Sequence, residues 1–506
     1  SLAFKMNVYI LGNLKSYLGK SCFIYDKVLF LIGNNLRIFK KMKTLPHIKV
    51  TPEQLPLISS NSLGVEIICG AAGSGKTSTA LLRLRSLCCM FAERYRRKGL
   101  NKSVKVLILT FNRTLTGYIK SLATHQIDQD LDISLEIDTF GGWALNNLPT
   151  IELEEKPNFI KGLAYNISEL SHDYVLNEVS YVLSRFLPQD LENYITTERT
   201  GRGTLPRVDK HLRRKLLDSV IYPYLDHLNQ IDKKDWNGVA VSMLQDIPSL
   251  EYDIVIVDES QDFSANQLRA IKHHLAVDHT VTFVIDTVQR IYARGFTWAE
   301  VGFEIRRENS HRLRENYRNT VEIAKFAAGI LSNMPIDADG ALPNLHAAAR
   351  QGKKPRIIRG LYSQQVDWVI KYIRENVNLK EESVAFLQPL GGTWFNYIIE
   401  VLQKNKLDYV QLTRKKDWPC NDTNIALSTF HSAKGLEFDY VFILGLNNQN
   451  TLFDEEDKDD RVQVLRRLLA VAVARARNDV IIGYKLGEES KLTKFFDINT
   501  YDVVDL

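Results

Sequence analysis

One stretch limits what this chain can become more than any other: Gly70-Ala-Ala-Gly-Ser-Gly-Lys-Thr77, which reads G-x-x-x-x-G-K-T. A short apolar run, Val65-Glu66-Ile67-Ile68-Cys69, comes before it, bounded like a buried strand. After it, Ser78 to Arg97 is long and Gly-free like a helix. In that setting successive backbone N–H groups converge on a phosphate at a helix N-terminus, where anions are favoured. Gly70, Gly73 and Gly75 let the chain curl around Ser74. Lys76 would reach the β- and γ-phosphates, and the Thr77 hydroxyl would hold Mg²⁺. Nucleotide binding is therefore the first expectation.

The bulk numbers leave room for a large enzyme. With 506 residues, 45% of them hydrophobic and 25% charged, the chain is expected to form two to four domains around ample core. No apolar run reaches the eighteen or so residues of a membrane span, and no signal-peptide pattern is evident, so no membrane partner is expected. Five cysteines without a C-x-x-C pair disfavour a disulfide framework or a zinc site and fit a reducing cytoplasm. The net charge of +5 is uneven, because residues 1–50 carry nine Lys/Arg against Asp26 alone, leaving the rest at −3. Any grip on nucleic acid must then come from a local groove rather than an overall basic field.

Along the chain, residues 1–43 read as a basic N-terminal extension, either a packed segment or an arm. Residues 44–300 read as a first domain with strands at Val104–Thr110, Ser134–Phe140, Asp253–Val257 and Val281–Ile285 and a helix from about Thr114 to Ala123. Residues 145–250 are mostly helical by periodicity and read as an insertion in it. Residues 301–506 repeat the alternation, with strands at Arg356–Ile358, Val384–Gln388, Tyr409–Leu412, Ile425–Thr429, Tyr440–Leu444 and Val480–Tyr484. Helices are expected at Gln364–Asn376 and Trp394–Lys404. Alternating strands and helices predict an α/β fold with parallel, doubly wound sheets. The acidic run Asp454–Asp460 reads as a solvated loop.

A second constellation supplies the chemistry. The aliphatic run Ile254-Val-Ile-Val257 leads into Asp258-Glu259-Ser260-Gln261-Asp262. Carboxylates at the C-terminal end of a buried strand sit where α/β sheets place ligand chemistry. Asp258 suits the Mg²⁺ shell, and Glu259 suits the orientation and deprotonation of an attacking water.

Taken in order, the blocks resemble the superfamily 1 helicases of the UvrD/Rep/PcrA group. They are Thr51-Pro-Glu-Gln54, the Gly70–Thr77 loop, Leu109-Thr-Phe-Asn-Arg113, Asp138-Thr-Phe-Gly141 and Val257-Asp-Glu-Ser-Gln-Asp262. They continue with Asp286-Thr-Val-Gln-Arg-Ile-Tyr292, Leu313-Arg-Glu-Asn-Tyr-Arg318, Ser428-Thr-Phe-His-Ser-Ala-Lys-Gly-Leu-Glu-Phe438 and Leu468-Leu-Ala-Val-Ala-Val-Ala-Arg-Ala476. The resemblance covers about residues 50–485 and implies two RecA-like domains with ATP and Mg²⁺ between them. It implies that Gln54 reads adenine, that Tyr317 stacks on it, and that Gln289 senses the γ-phosphate. It further implies that Arg318 and Arg475 reach the γ-phosphate as arginine fingers, and that Gly435 and Glu437 belong to the nucleotide site, Glu437 at the ribose. An arginine supplied across a cleft is worth about 10³–10⁵ in rate, which ties hydrolysis to domain closure.

The resemblance also implies a single-strand track through Phe111, Asn112, Thr139, Phe140, Tyr292, Arg294, Thr429 and His431. Aromatics there would stack bases with little regard for sequence. The alternative for Phe111 and Phe140 is that they end buried strands as core. Arg199, Arg202, Arg207, Arg213 and Arg214 could line a phosphate path or be solvated charges. Three departures stand out. Tyr292-Ala-Arg-Gly295 lacks the tryptophan usual after the Gln block, unless Trp298 or Phe296 replaces it. Ala470 and Ala474 stand where Tyr and Thr are usual. Only about 110 residues separate Arg318 from Ser428, too few for the large insertion of full-size relatives. The expected function is an ATP-dependent translocase or helicase on single-stranded DNA, 3′ to 5′, with RNA as the other polynucleotide. The alternative is an ATP-gated nucleic-acid sensor that licenses a partner such as a nuclease; a phosphate-loop protein of another class is a third reading.

Overall fold

The computed structural model describes residues 50–70, 73–111, 113–123, 130–154, 158–198, 207–286, 296–314, 316–332, 334, 348–412, 423–451 and 460–506. The basic extension at 1–43 lies outside these. The first strands are β1 (Gly64–Gly70), β2 (Val104–Thr110) and β3 (Ile133–Thr139). The short strands β4 (Glu152–Leu153) and β5 (Lys233–Lys234) pair with each other inside the insertion. Next come β6 (Tyr252–Val257), β7 (Leu275–Asp286) and β8 (Ser310–Leu313). Without the β4/β5 pair they form one parallel sheet in the order β3-β2-β6-β7-β1-β8.

These strands read as nearly unbroken apolar runs because both faces of the sheet are covered. Along β2 and β6 the side chains alternate between two cores. Val106, Ile108, Ile254 and Ile256 pack with the long helix Lys76–Arg97. Leu107, Leu109, Val255 and Val257 pack with Trp143, Met243 and Leu268 on the helices Phe140–Asn147, Trp236–Gln245 and Ala265–His273. The helical insertion has a core of its own, built on Val175, Val179, Val182, Leu216, Val220 and Tyr224.

Further along come β9 (Asn316–Thr320) and β10 (Ala348–Arg350), a small parallel pair. The remaining strands are β11 (Arg356–Arg359), β12 (Val384–Gln388), β13 (Val410–Gln411), β14 (Ile425–Thr429), β15 (Phe438–Ile443), β16 (Ala476–Tyr484) and β17 (Asp502–Asp505). They form a second parallel sheet in the order β13-β14-β12-β15-β16-β11-β17. Two parallel α/β sheets are thus present, consistent with two RecA-like domains. One continuous apolar cluster joins them, running from Ile108 through Leu115 to Phe430, Leu436 and Val441.

Several boundaries differ from the sequence reading for local reasons. The strand expected at Ser134–Phe140 ends at Thr139, whose hydroxyl accepts from Gly142 N at 3.1 Å and caps the helix that Phe140 begins. The first sheet continues past residue 300 to Leu313, since β8 pairs with β1. The helix expected from Trp394 starts at Asn396, after a 3₁₀ turn over Gly392–Phe395. Among the described residues no helix is long and apolar enough to cross a membrane.

Candidate nucleotide cleft and strand groove

The helix Lys76–Arg97 begins directly after Gly75, so its first N–H groups open onto the loop that leaves β1. Lys76 itself is buried. Gly73 takes φ +83°, and a methyl group there would come 2.3 Å from Asn316 Oδ1. No other residue type fits both the backbone and the space. Gln54 is buried against the same loop, with Oε1 accepting from Thr51 N at 3.1 Å and Nε2 donating to Ser74 O at 3.4 Å.

The carboxylate pair stands at the end of β6. Thr77 Oγ1 donates to both carboxylate oxygens of Asp258, at 3.0 and 3.1 Å. Burial, and then the neighbouring charge of Glu259, push the Asp258 carboxyl up to about 7. Burial would also raise Glu259, but the cations Lys434, Arg475 and Lys76 and a hydrogen bond from Gln261 outweigh it and pull it down. Glu259 is therefore the more readily ionised member of the pair. Its backbone lies in the left-handed region at φ 52°, a strained position for a side chain of this size.

Two arginines enter this site from the second half of the chain, Arg318 on β9 and Arg475 just before β16. A single cleft is lined by Lys76, Thr77, Asp258, Glu259, Arg318 and Arg475, with Gly73, Gly75, Gly435 and Glu437 at its margins. Arg318 forms an ion pair with Glu437, and its Nε and Nη1 are buried without a hydrogen-bond partner. Ser74 Oγ is likewise buried and unsatisfied. Arg475 is buried, with Nε donating to Val471 O at 3.1 Å. The unsatisfied guanidinium of Arg318 lines the same cleft as Lys76 and Arg475, a cationic donor set that fits a polyphosphate. The Thr77 hydroxyl and the Asp258 carboxylate are oxygen donors in mutual contact, which fits a hard divalent cation such as Mg²⁺. Sequence reasoning missed Lys434, which lies within the quoted Ser428–Phe438 block. Its buried ammonium pairs with Asp262, lies 3.5 Å from Glu259 and sits 5.4 Å from the centre of the Phe111 ring.

Beside this cleft a groove of about 660 Å³ opens at the ends of β2 and β3. Phe111, Thr139 and Phe140 line it, with Arg113, Ser432 and Trp236. Phe140 is buried and packs edge-on to Trp143, so it contributes mostly to the core, whereas Phe111 is half-buried at the groove wall. Trp236, 46% exposed, was also missed; its ring lies against Gly141, where a methyl would meet it at 2.8 Å. Thr429 Oγ1 is engaged with Ser432, and His431 is exposed. Phe296 is buried, and Trp298 packs on Phe283 and Phe303, so neither is free to take the place of the missing tryptophan. In the insertion, Arg213 turns onto the carbonyls of Tyr194, Thr197 and Val208, and Arg214 pairs with Glu192; both are structural contacts. Asn112, Gln289, Tyr292, Arg294, Arg199, Arg202 and the side chain of Tyr317 lie outside the described residues.

Comparison with known proteins agrees with this architecture. Residues 392–487 match the UvrD-like helicase C-terminal domain family. A probable DNA helicase of Mycoplasma pneumoniae is 24% identical over 447 residues, covering 82% of this chain and 79% of its own. The ATP-dependent DNA helicase Rep of Buchnera aphidicola is 28% identical over 132 residues, covering 23% of this chain and 19% of its own. A crystal structure of the C-terminal domain of a possible DNA helicase from a Lactobacillus is 21% identical, covers 37% of this chain and 98% of its own, and superposes with a TM-score of 0.28. Residues 392–487 thus match a UvrD-like helicase C-terminal domain, and the chain has distant homology to Rep and to a probable DNA helicase of the UvrD-like superfamily 1 kind.

Proposed function

We propose that this chain hydrolyses ATP in the cleft between its two sheets and uses the cycle to move 3′ to 5′ along single-stranded DNA, as a translocase or helicase. One observation carries the reading: Arg318 and Arg475 line the same cleft as Lys76, Asp258 and Glu259. The loop Gly70–Gly75 and Lys76 hold the phosphates, with Gln54 on the adenine side. Thr77 and Asp258 hold Mg²⁺, which neutralises charge on the β- and γ-oxygens when bound. Glu259, kept ionised by its cationic neighbours, takes the proton of the attacking water. Arg318 and Arg475 stabilise the charge on the transferred phosphoryl group, so turnover requires the two lobes to be together. The groove at Phe111 and Thr139 carries the strand, and Lys434 joins its wall to Glu259. The ATP-dependent DNA helicase named among the relatives supports both substrates.

The deciding experiment is the ATPase rate with and without single-stranded and duplex DNA and RNA. Single-stranded DNA should raise it by at least about tenfold, a modest part of the roughly 10³–10⁵ that a completed arginine-finger site can supply. A rate indifferent to every polynucleotide would sink the reading. The buried Phe296 and the half-buried Trp298 packed on Phe283 favour a second reading, in which the ATPase senses strands and licenses a partner such as a nuclease. A strand-displacement assay separates the two: strong stimulation without displacement at any concentration selects the sensor.

A further inference from the structure

Two asparagines outside the set of expected site residues join the arginines into one frame. Asn316, buried at the start of β9, accepts through Oδ1 from the backbone N–H of Arg318 and of Asn319, each at 3.1 Å. Its Nδ2 donates to Asn319 Oδ1 at 3.0 Å. Asn319, 2% exposed, spends its own amide on the second sheet: Nδ2 donates to Ala474 O at 3.1 Å and to Ala476 O at 2.6 Å. These are the carbonyls on either side of Arg475. The carbonyl of Arg475 itself accepts from Phe438 N at 3.0 Å, and Glu437, one residue earlier, pairs with Arg318.

The bonds therefore close a circuit from Arg318 through Asn316, Asn319, the backbone at Ala474–Ala476 and Phe438 to Glu437, and back to Arg318. Three successive carbonyls are pinned, so the stem of Arg475 cannot shift without breaking several bonds together. The circuit also touches the phosphate loop, since Asn316 Oδ1 faces Gly73. Catalytic contacts of this kind lose much of their worth when displaced by about an ångström. Asn319 has the chemistry the position needs: two N–H donors for two carbonyls, and one acceptor for Asn316, on a short stem.

We infer that Asn319 is a positioning residue that holds Arg318 and Arg475 in mutual register for phosphoryl transfer. This rests on the ATPase reading above. The test is steady-state ATPase of the full chain with single-stranded DNA, together with binding of a fluorescent ADP analogue. Asn319→Leu keeps the volume and removes the donors. Its kcat should fall by about tenfold or more, while KM and analogue affinity stay within about threefold. Asn319→Ser, able to reach one carbonyl at most, should lie between Leu and wild type. Added to Arg475→Ala, the Leu substitution should cost clearly less than it does alone, because the part of its effect that runs through the Arg475 guanidinium is already gone. Losses that multiply, or a kcat for Asn319→Leu equal to wild type, overturn the inference. A role confined to folding would instead lower melting temperature and analogue affinity together, which also overturns it. Should Asn319→Leu fail to fold, the Ser variant and its double with Arg475→Ala distinguish the same outcomes. A wild-type chain without ATPase overturns the function and the frame together, whereas an active wild type matched by its variants overturns the frame alone.

Discussion

At the residue scale, Glu259 carries the sharpest expectation. Replacing it with Gln removes the base but keeps the shape, so turnover should drop by about 10²–10⁴. Nucleotide affinity should survive, and single-turnover assays with a separate binding titration check both. His274 sets a pH limit of a different kind. Its ring is buried, with Nδ1 accepting from Leu250 N at 3.2 Å and Nε2 bonded to Met243 O at 2.8 Å. Burial lowers it to about 4. The unfolded chain binds this proton more readily than the folded one. The stabilising contribution is therefore complete above about 6.5 and is lost as pH falls towards 4. Urea midpoints should decline over that window, and His274→Gln should flatten the decline; an identical slope in both proteins would refute the assignment. Much of the cleft was legible at this scale, because Lys76, Thr77, Asp258 and Glu259 sit in contiguous motifs. Lys434, Trp236 and Asn319 were not, because their importance comes from partners 172, 95 and 155 positions away in sequence (Asp262, Gly141 and Ala474).

At the element scale, strands buried on both faces announced themselves. Val384–Gln388 and Ile425–Thr429 fall where the apolar runs place them. Elements closed by specific bonds did not. The cap at Thr139 ended a strand one residue early, and β8 is held by pairing along β1 rather than by an apolar run of its own. The fit of the phosphate loop against β9 makes a prediction here. Gly73→Ala would strain φ and push a methyl into Asn316 and Arg318, so ATPase should fall to background and the melting temperature should drop by a few degrees, with the circular-dichroism spectrum of the folded chain unchanged. Lys434 makes another. Its removal leaves Asp262 buried without its paired cation and Glu259 with one fewer, and Lys434→Met should cost about 3–5 kcal/mol of stability in urea titrations.

At the scale of the whole molecule, parallel order was foreseen from the alternation of strands and helices, but the strand sequence within each sheet was not. Pairing order depends on how crossovers pack, which no local pattern encodes. The lined cleft encloses only about 40 Å³, far below the roughly 300 Å³ or more of ordinary small-molecule sites. Admission of a nucleotide therefore requires the lobes to part. Fluorophores placed across the cleft should report a longer distance in nucleotide-exchange conditions and a shorter one with a non-hydrolysable analogue. Lys76→Ala should abolish that response, and a distance indifferent to nucleotide in wild type would contradict it.

The link between the sheets bounds this opening. From Leu313, the last residue of β8, to Asn316, the first of β9, the chain has only Arg314 and Glu315 in between, and Arg314 N is tethered to Glu53 Oε1 at 2.8 Å. The three Cα–Cα steps from Leu313 to Asn316 stretch to about 11 Å at most. So short a leash permits swivelling and forbids wandering.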